Sequence, residues 1–239
     1  MNNKHSISKS IVLHLLPGAV GTLAYVLLAP LFLQNGYPAI LAILVAAGVV
    51  IAPLELGYLF VQAKQSSFNE IIQYREPLPR WQYVLIPLGL VVWGFLASGA
   101  LSMLDVVIAR QLFGWLPDWF FVFDVEQFSA FSREALLTTF WIGLLVNGFF
   151  LPIVEEFYFR GYLLPRLPGP RNWSVTLNIS LFSLYHFWTP WQLISRIIWL
   201  LPWGFAVERK KNIYLMMIAH VAGNTIGWLL TWALILSTK

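Results

Sequence analysis

Long apolar runs separated by short polar interruptions dominate this chain, and no sustained period-two alternation competes with them as strand. The runs are Ile11–Leu33, Pro38–Gln62, Tyr83–Leu104, Ala135–Leu164, Ser174–Trp188, Gln192–Glu208 and Ile213–Leu236. A helix needs about 20 apolar residues to cross ~30 Å of hydrocarbon, so each run reads as a transmembrane helix. The fifth and sixth are short and the fourth is long, so seven spans are expected, with eight as the alternative. No internal repeat or low-complexity tract interrupts the pattern. The expected fold is all-α: a polytopic integral membrane helical bundle forming one transmembrane domain over residues 1–239.

Composition supports this reading. Hydrophobic residues make up 59% of the 239-residue chain and charged ones 11%, against about 45–50% and 25% in soluble domains. The mean hydropathy is +0.71. A soluble enzyme, a disordered chain and a nucleic-acid module are excluded, and the lipid bilayer is the expected surrounding. With no cysteine there is no disulfide framework, thiolate metal site or cysteine nucleophile. The first apolar run is too long for a signal-peptide core and reads as a retained helix.

The net charge of +4 is informative only through its distribution. Lys4 and Lys9 precede the first span; Lys64, Arg75 and Arg80 follow the second; Arg166 and Arg171 follow the fourth; Arg209, Lys210 and Lys211 follow the sixth. Gln34–Tyr37 carries no charge. The loop Asp105–Glu134 sets Arg110 and Arg133 against Asp105, Asp118, Asp124, Glu126 and Glu134. The positive-inside rule then predicts a multi-pass cell-membrane protein with a cytoplasmic N-terminus and an external C-terminus. Arg196, near the outer start of the sixth span, is the exception. The aromatics of the Asp105–Glu134 loop (Trp115, Trp119, Phe120, Phe121, Phe123, Phe128 and Phe131) predict an external interfacial helix packed on the bundle.

Ionisable groups are expensive in hydrocarbon, which makes each one a candidate for function. They are His14, Glu55, Glu155, Glu156, Arg160, His186 and His220, with Asn147, Asn178 and Asn224 as neutral company. Glu156 and Arg160 lie four apart, on one helical face, and can pair. Glu155 is rotated by about 100° from Glu156 and is free to point elsewhere. His220 and Asn224 repeat the four-residue spacing, as do Phe182 and His186. Counted from the cytoplasmic helix ends, Glu155 lies about 15 Å deep, His186 about 18 Å, His220 about 11 Å and Asn224 about 17 Å. Three helices thus bring an acid, two imidazoles and an amide to one layer. Glu55, at compatible depth, reads as bundle support or a partner of Arg160; His14 and His5 receive no role.

A carboxylate and a histidine around one water can deprotonate it for attack on a carbonyl. A second histidine and an amide can stabilise the oxyanion. The set Glu155, His186 and His220 could instead ligate zinc with an open position for water. Other intramembrane protease signatures are absent: no H-E-x-x-H, no G-x-S-G and no G-x-G-D occurs.

Glu155-Glu156-Phe-Tyr-Phe-Arg160, Phe182-Ser-Leu-Tyr-His186 and His220-Val-Ala-Gly-Asn224 resemble, in order, the three motifs of the CPBP family. These are the CAAX-protease and bacteriocin-processing membrane proteins, also called Abi proteins. The resemblance covers about Ala135–Gly227, and the motif-bearing catalytic half is placed at approximately 135–236. It implies an intramembrane endopeptidase that hydrolyses a peptide bond near the membrane in a membrane-anchored protein or peptide. By the same resemblance Glu155 activates water with help from His186, Glu156 and Arg160 order the site, and His220 and Asn224 stabilise the oxyanion. It implies a glutamate-dependent reaction without cofactor, with a zinc metalloprotease as the alternative. Lys210-Lys211-Asn212 departs from the small turn residues usual before the third motif, which bears on loop geometry.

Two other functions compete: a non-proteolytic immunity or resistance protein that binds a partner, and a proton-relaying transporter. The missing internal repeat argues against the second. The proteolytic reading asks that Glu155, His186, His220 and Asn224 surround one cavity open to the cytoplasmic side.

Overall fold

The computed structural model describes residues 4–122 and 125–237; Phe123 and Asp124, two members of the aromatic, acidic loop, lie outside the described residues. All seven apolar runs are helical. They form α1 (Ile7–Gln34), α2 (Ala39–Ala63), α3 (Gln82–Phe113), α4 (Arg133–Arg166), α5 (Arg171–Tyr185), α6 (Leu193–Lys210) and α7 (Tyr214–Ser237). Among the described residues there is no strand. The protein is an all-α membrane bundle. Among the described residues five helices, α1 to α4 and α7, are long and apolar enough to cross a membrane. With 15 and 18 residues, α5 and α6 reach about 22 and 27 Å, short of a ~30 Å hydrocarbon core.

Local chemistry sets several helix ends. The Ser6 hydroxyl accepts from the Lys9 N–H at 3.2 Å and that of Ser132 from the Ala135 N–H at 3.1 Å, each satisfying an otherwise orphaned first-turn donor. The turn at Lys210-Lys211-Asn212 closes with Lys211 in the left-handed region at φ 51°. It is held by the α2–α3 loop. Glu76 N–H donates to the Lys211 carbonyl at 2.9 Å, Asn212 Nδ2 to the Glu76 carbonyl at 2.7 Å, and Ile213 N–H to the Tyr74 carbonyl at 2.8 Å. A buried asparagine with backbone partners therefore does the work expected of small turn residues.

Prolines within the helices leave the carbonyl four residues earlier without an N–H partner. In lipid that carbonyl must be satisfied from elsewhere. Pro17 frees Leu13, whose carbonyl accepts from the Tyr158 hydroxyl at 2.7 Å. Pro152 frees Gly148, which accepts from the Thr225 hydroxyl at 3.3 Å. Pro165 frees Gly161, which accepts from the Gln73 N–H at 2.9 Å. Each compensation ties one helix to another, so these breaks in the ladders act as cross-links. Two π-helical stretches, Leu144–Phe150 and Glu156–Leu163, flank Glu155 within α4.

Two expectations are corrected. The third helix continues past Leu104 to Phe113, because an isolated Asp105 does not break a helix; the Asp105 carboxylate accepts from the Ser195 hydroxyl at 2.9 Å. The aromatic loop forms two 3₁₀ turns, Asp118–Phe120 and Val125–Ala130, rather than an interfacial helix. It does cap the bundle: Phe120 and Phe128 are buried, and ring centroids stand 4.9 Å apart for Phe121–Trp191 and 5.5 Å for Phe128–Trp232.

Small residues let α1 approach the rest closely. A Cβ built on Gly18 would fall 2.0 Å from the Tyr185 carbonyl oxygen and 2.6 Å from its ring. Gly18→Ala must push α1 away from the end of α5. A loss of stability of about 1–3 kcal/mol is expected, seen as a lower unfolding midpoint in detergent. Gly57→Ala, with nothing within 4 Å of the new methyl group, should leave the midpoint unchanged. Equal midpoints for the two variants would contradict this packing.

Candidate active site

Glu155, Glu156 and Arg160 project from α4 into the bundle and are at most 2% exposed. Arg160 Nη1 stands 3.4 Å from Glu156 Oε1. Its guanidinium covers the Phe182 ring at 3.9 Å, a cation–π arrangement suited to a dry site. The partner of both glutamates is His220. Its Nδ1 lies 2.9 Å from Glu156 Oε1 and its Nε2 3.7 Å from Glu155 Oε2. A carboxylate only accepts, so Nδ1 carries the hydrogen in the first contact. The second distance exceeds a hydrogen bond. Glu155 thus does not point away from its neighbour: both carboxylates turn to opposite edges of one imidazole.

A third carboxylate joins them. The Tyr185 hydroxyl lies 3.0 Å from Glu55 Oε1 and 3.3 Å from Glu155 Oε1. Glu55 is fully buried and supports the site through this tyrosine. Sequence reasoning missed Tyr185, since a tyrosine in an apolar helix carries no distinguishing signal; its place directly before His186 was the only pointer.

His186 sits where α5 ends rather than inside a helix running to Trp188. Its Nδ1 donates to the Phe182 carbonyl at 2.8 Å, which satisfies one of the orphaned last-turn carbonyls and leaves Nε2 as an acceptor. The ring packs among Phe182, Tyr185 and Trp188, with centroids 4.8–4.9 Å away. The described ion pairs and hydrogen bonds join His220, not His186, to the two glutamates. Asn224 donates from Nδ2 to the Asn147 carbonyl at 3.0 Å, within the first π-helical stretch. Asn178 does the same for the second, donating to the Phe159 carbonyl at 3.0 Å; its amide also meets His14 Nε2 at 2.9 Å. His14, given no role from sequence, thereby buttresses the segment that carries Arg160.

Arg196 also finds its explanation. Its Nη2 donates to Thr189 Oγ1 at 2.8 Å and Gln192 Oε1 at 2.6 Å, and its Nη1 reaches the Ser183 carbonyl at 3.4 Å. The cation sits at the negative end of the α5 dipole and braces the loop after His186. It is a buried structural charge rather than a topological signal.

A cavity of about 430 Å³ opens between α3, α4, α6 and α7. Asn147 and Asn224 line one end; Asp105, Gln192, Ser195 and Arg196 line the other. Of the four residues expected to share one cavity, only Asn224 lines it. The cavity extends from Asn224 toward the helix ends away from Arg80 and Arg209–Lys211, not toward the basic loops. Glu155 and His220 instead face each other at 3.7 Å outside its lining.

The set proposed for zinc was Glu155, His186 and His220. Among the described residues no group of three His, Asp or Glu side chains is placed to hold a metal ion. His220 Nδ1 is engaged by Glu156, and the Arg160 cation stands in the same cluster. These donors do not form a metal cage as arranged.

Residues 137–226 match a family model described as type II CAAX prenyl endopeptidase Rce1-like. Searches of curated proteins and of solved structures each found no match. The matched stretch holds all three motifs, from Glu155 to Asn224. At the level of the family it gives an endopeptidase of the CAAX-protease kind, embedded in the membrane and acting on membrane-anchored peptides. Over its motif-bearing stretch, residues 137–226, this multi-pass membrane protein is similar to the Rce1-like type II CAAX prenyl endopeptidases.

Proposed function

We propose that this chain hydrolyses a peptide bond in a membrane-anchored protein or peptide, with Glu155 as the base that activates water. The observation that carries the proposal is the placement of Glu155 Oε2 3.7 Å from His220 Nε2, with Glu156 fixing the far side of the same ring at 2.9 Å. A water at this gap gives its proton to Glu155 while its oxygen attacks the scissile carbonyl carbon. The carbonyl π electrons move onto the oxygen, and the oxyanion accepts from His220 Nε2–H and the second Asn224 amide hydrogen. That role requires hydrogen on both His220 nitrogens, one of them held by Glu156. When the tetrahedral intermediate collapses, the C–N bond breaks and Glu155 returns the proton to the departing amine. His186 assists through Nε2, its only unspent ring nitrogen. Arg160 and Glu156 hold the geometry.

The purified chain in lipid vesicles, given a lipid-anchored reporter peptide in ¹⁸O-water, should yield a new C-terminus carrying one ¹⁸O atom. Turnover should survive prolonged treatment with a strong zinc chelator. Loss of turnover restored by added zinc would replace the glutamate route with a metal route. A chain that protects against a partner toxin yet cleaves nothing would instead support the binding-protein reading.

A further inference from the structure

At the end of the bundle that carries the basic loops, α3 and α6 leave a groove between them. The Trp203 indole N–H donates to the Leu90 carbonyl at 3.0 Å and joins the two helices. One turn further toward the basic end, Ile86 on α3 and Pro202, Phe205 and Ala206 on α6 line an open space of about 380 Å³. All four are half-buried, so the wall is apolar yet accessible. Arg209 and Lys210 complete the lining. Both are exposed, and neither takes part in a described ion pair. The adjacent acid, Glu208, is spent on Arg171 and Lys211, and no carboxylate lines the groove. The Arg209 guanidinium lies 5.6 Å from the Phe205 ring centroid, so the cationic and apolar parts form one surface. Cations in the last turn of a helix complement its negative end. That accounts for the charges but not for an unfilled apolar groove beside them.

We infer that this groove binds a phospholipid with an anionic headgroup. Its occupant must be apolar along most of its length and negatively charged at the level of Arg209 and Lys210. The phosphate of such a lipid accepts from the Arg209 fork, which matches phosphate oxygens in pairs, and from the Lys210 ammonium. The glycerol backbone and the first acyl carbons lie against Ile86, Pro202, Phe205 and Ala206, and the rest of each chain stays in the surrounding bilayer. A space of about 380 Å³ suits this part of a lipid rather than a whole one. A zwitterionic phospholipid would bring its own cation beside Arg209 and Lys210, with no carboxylate in the lining to receive it. Free phosphate would leave the apolar wall uncovered. A lipid seated here touches α3 and α6 at once and clamps them beyond the Trp203–Leu90 bond. The inference stands apart from the proteolytic reading, since none of the lining residues belongs to the cluster around Glu155.

The test uses the purified full chain in detergent, titrated with dioleoyl phosphatidylglycerol, dioleoyl phosphatidylcholine or inorganic phosphate. Retained lipid is read by native mass spectrometry and stability by the unfolding midpoint. The wild-type chain should retain phosphatidylglycerol over phosphatidylcholine by about thirtyfold, from about fivefold for each of two basic residues. Its midpoint should rise with phosphatidylglycerol alone. The pair Arg209→Gln with Lys210→Gln should bring the preference close to one. The pair Lys64→Gln with Arg80→Gln removes as much charge from the same end of the bundle but outside the lining, and should keep the preference. Ala206→Trp fills the groove and spares both cations; it should lose the retained lipid, with its midpoint in phosphatidylcholine reporting whether it folds. Diffuse attraction of lipid to a basic surface gives the opposite pattern: both charge pairs weaken the preference equally, and a folded Ala206→Trp leaves it intact. Either result overturns the inference. So does a wild-type preference near one, and so does displacement of the retained lipid by inorganic phosphate, which would make the groove a site for small anions. If Ala206→Trp does not fold, the comparison of the two charge pairs decides alone.

Discussion

Glu155→Gln should abolish peptide cleavage while leaving the fold intact. The substitution keeps the shape of the side chain and an oxygen that can still accept from the Tyr185 hydroxyl, now 3.3 Å away. The ion pair beside it, Glu156 with Arg160 and His220, is untouched. Only the ability to take a proton from water is lost. General-base catalysis is worth about 10²–10⁴-fold, so kcat should fall by that factor with little change in the unfolding midpoint. Peptide binding should persist. The contrast with Glu156→Gln sharpens the result. Glu156 does not face the proposed water; it holds His220 Nδ1 at 2.9 Å and Arg160 at 3.4 Å. Its loss should lower both activity and stability. Unchanged turnover in Glu155→Gln would remove this residue as the base. A protective phenotype that survives the substitution would favour a partner-binding protein.

The helices were legible because lipid imposes length and apolarity together, and every apolar run is helical in the structure. The break at Leu104 was misplaced because charge served as a stop signal, whereas α3 ends only at Gly114. The pairing of Glu156 with Arg160 followed from the four-residue spacing, which survives the π-helical distortion. The convergence of Glu155 and Glu156 on His220 did not follow, because ideal helical geometry separates adjacent side chains by about 100° and says nothing of which third helix they meet. Tyr185 was invisible, and so were the Tyr185–Glu55 and Asp105–Ser195 contacts. Both contacts depend on tertiary packing: α1 is pressed against Tyr185 at Gly18, and α6 against α3 at Ser195. Arg196 was visible as the exception to the loop charges but its role was not, since a count of loop charges cannot see a guanidinium folded back to cap its neighbour. The family match, at residues 137–226, covers the motifs but neither Glu55 nor Asp105.

Arg160→Leu is expected to be the most destabilising single change in the bundle. Three carboxylates, Glu55, Glu155 and Glu156, lie within one fully buried cluster, and Arg160 is the guanidinium set among them. Removing one partner of a buried ion pair typically costs about 3–5 kcal/mol, because the other charge is left without compensation. The stacking of the guanidinium on Phe182 at 3.9 Å disappears as well, worth about 2 kcal/mol in a desolvated place. Arg160→Lys should recover only part of the loss, since an ammonium lacks the planar face that covers Phe182. The double variant Arg160→Leu with Glu156→Leu gives the sharper check. Apolar replacement of a whole buried pair is often neutral or stabilising, so the double variant should unfold at a higher denaturant midpoint than Arg160→Leu alone while remaining inactive. An Arg160→Leu chain as stable as the wild type would mean that the glutamates are already neutral in the resting protein. Glu155 would then need to lose a proton before it could accept one from water.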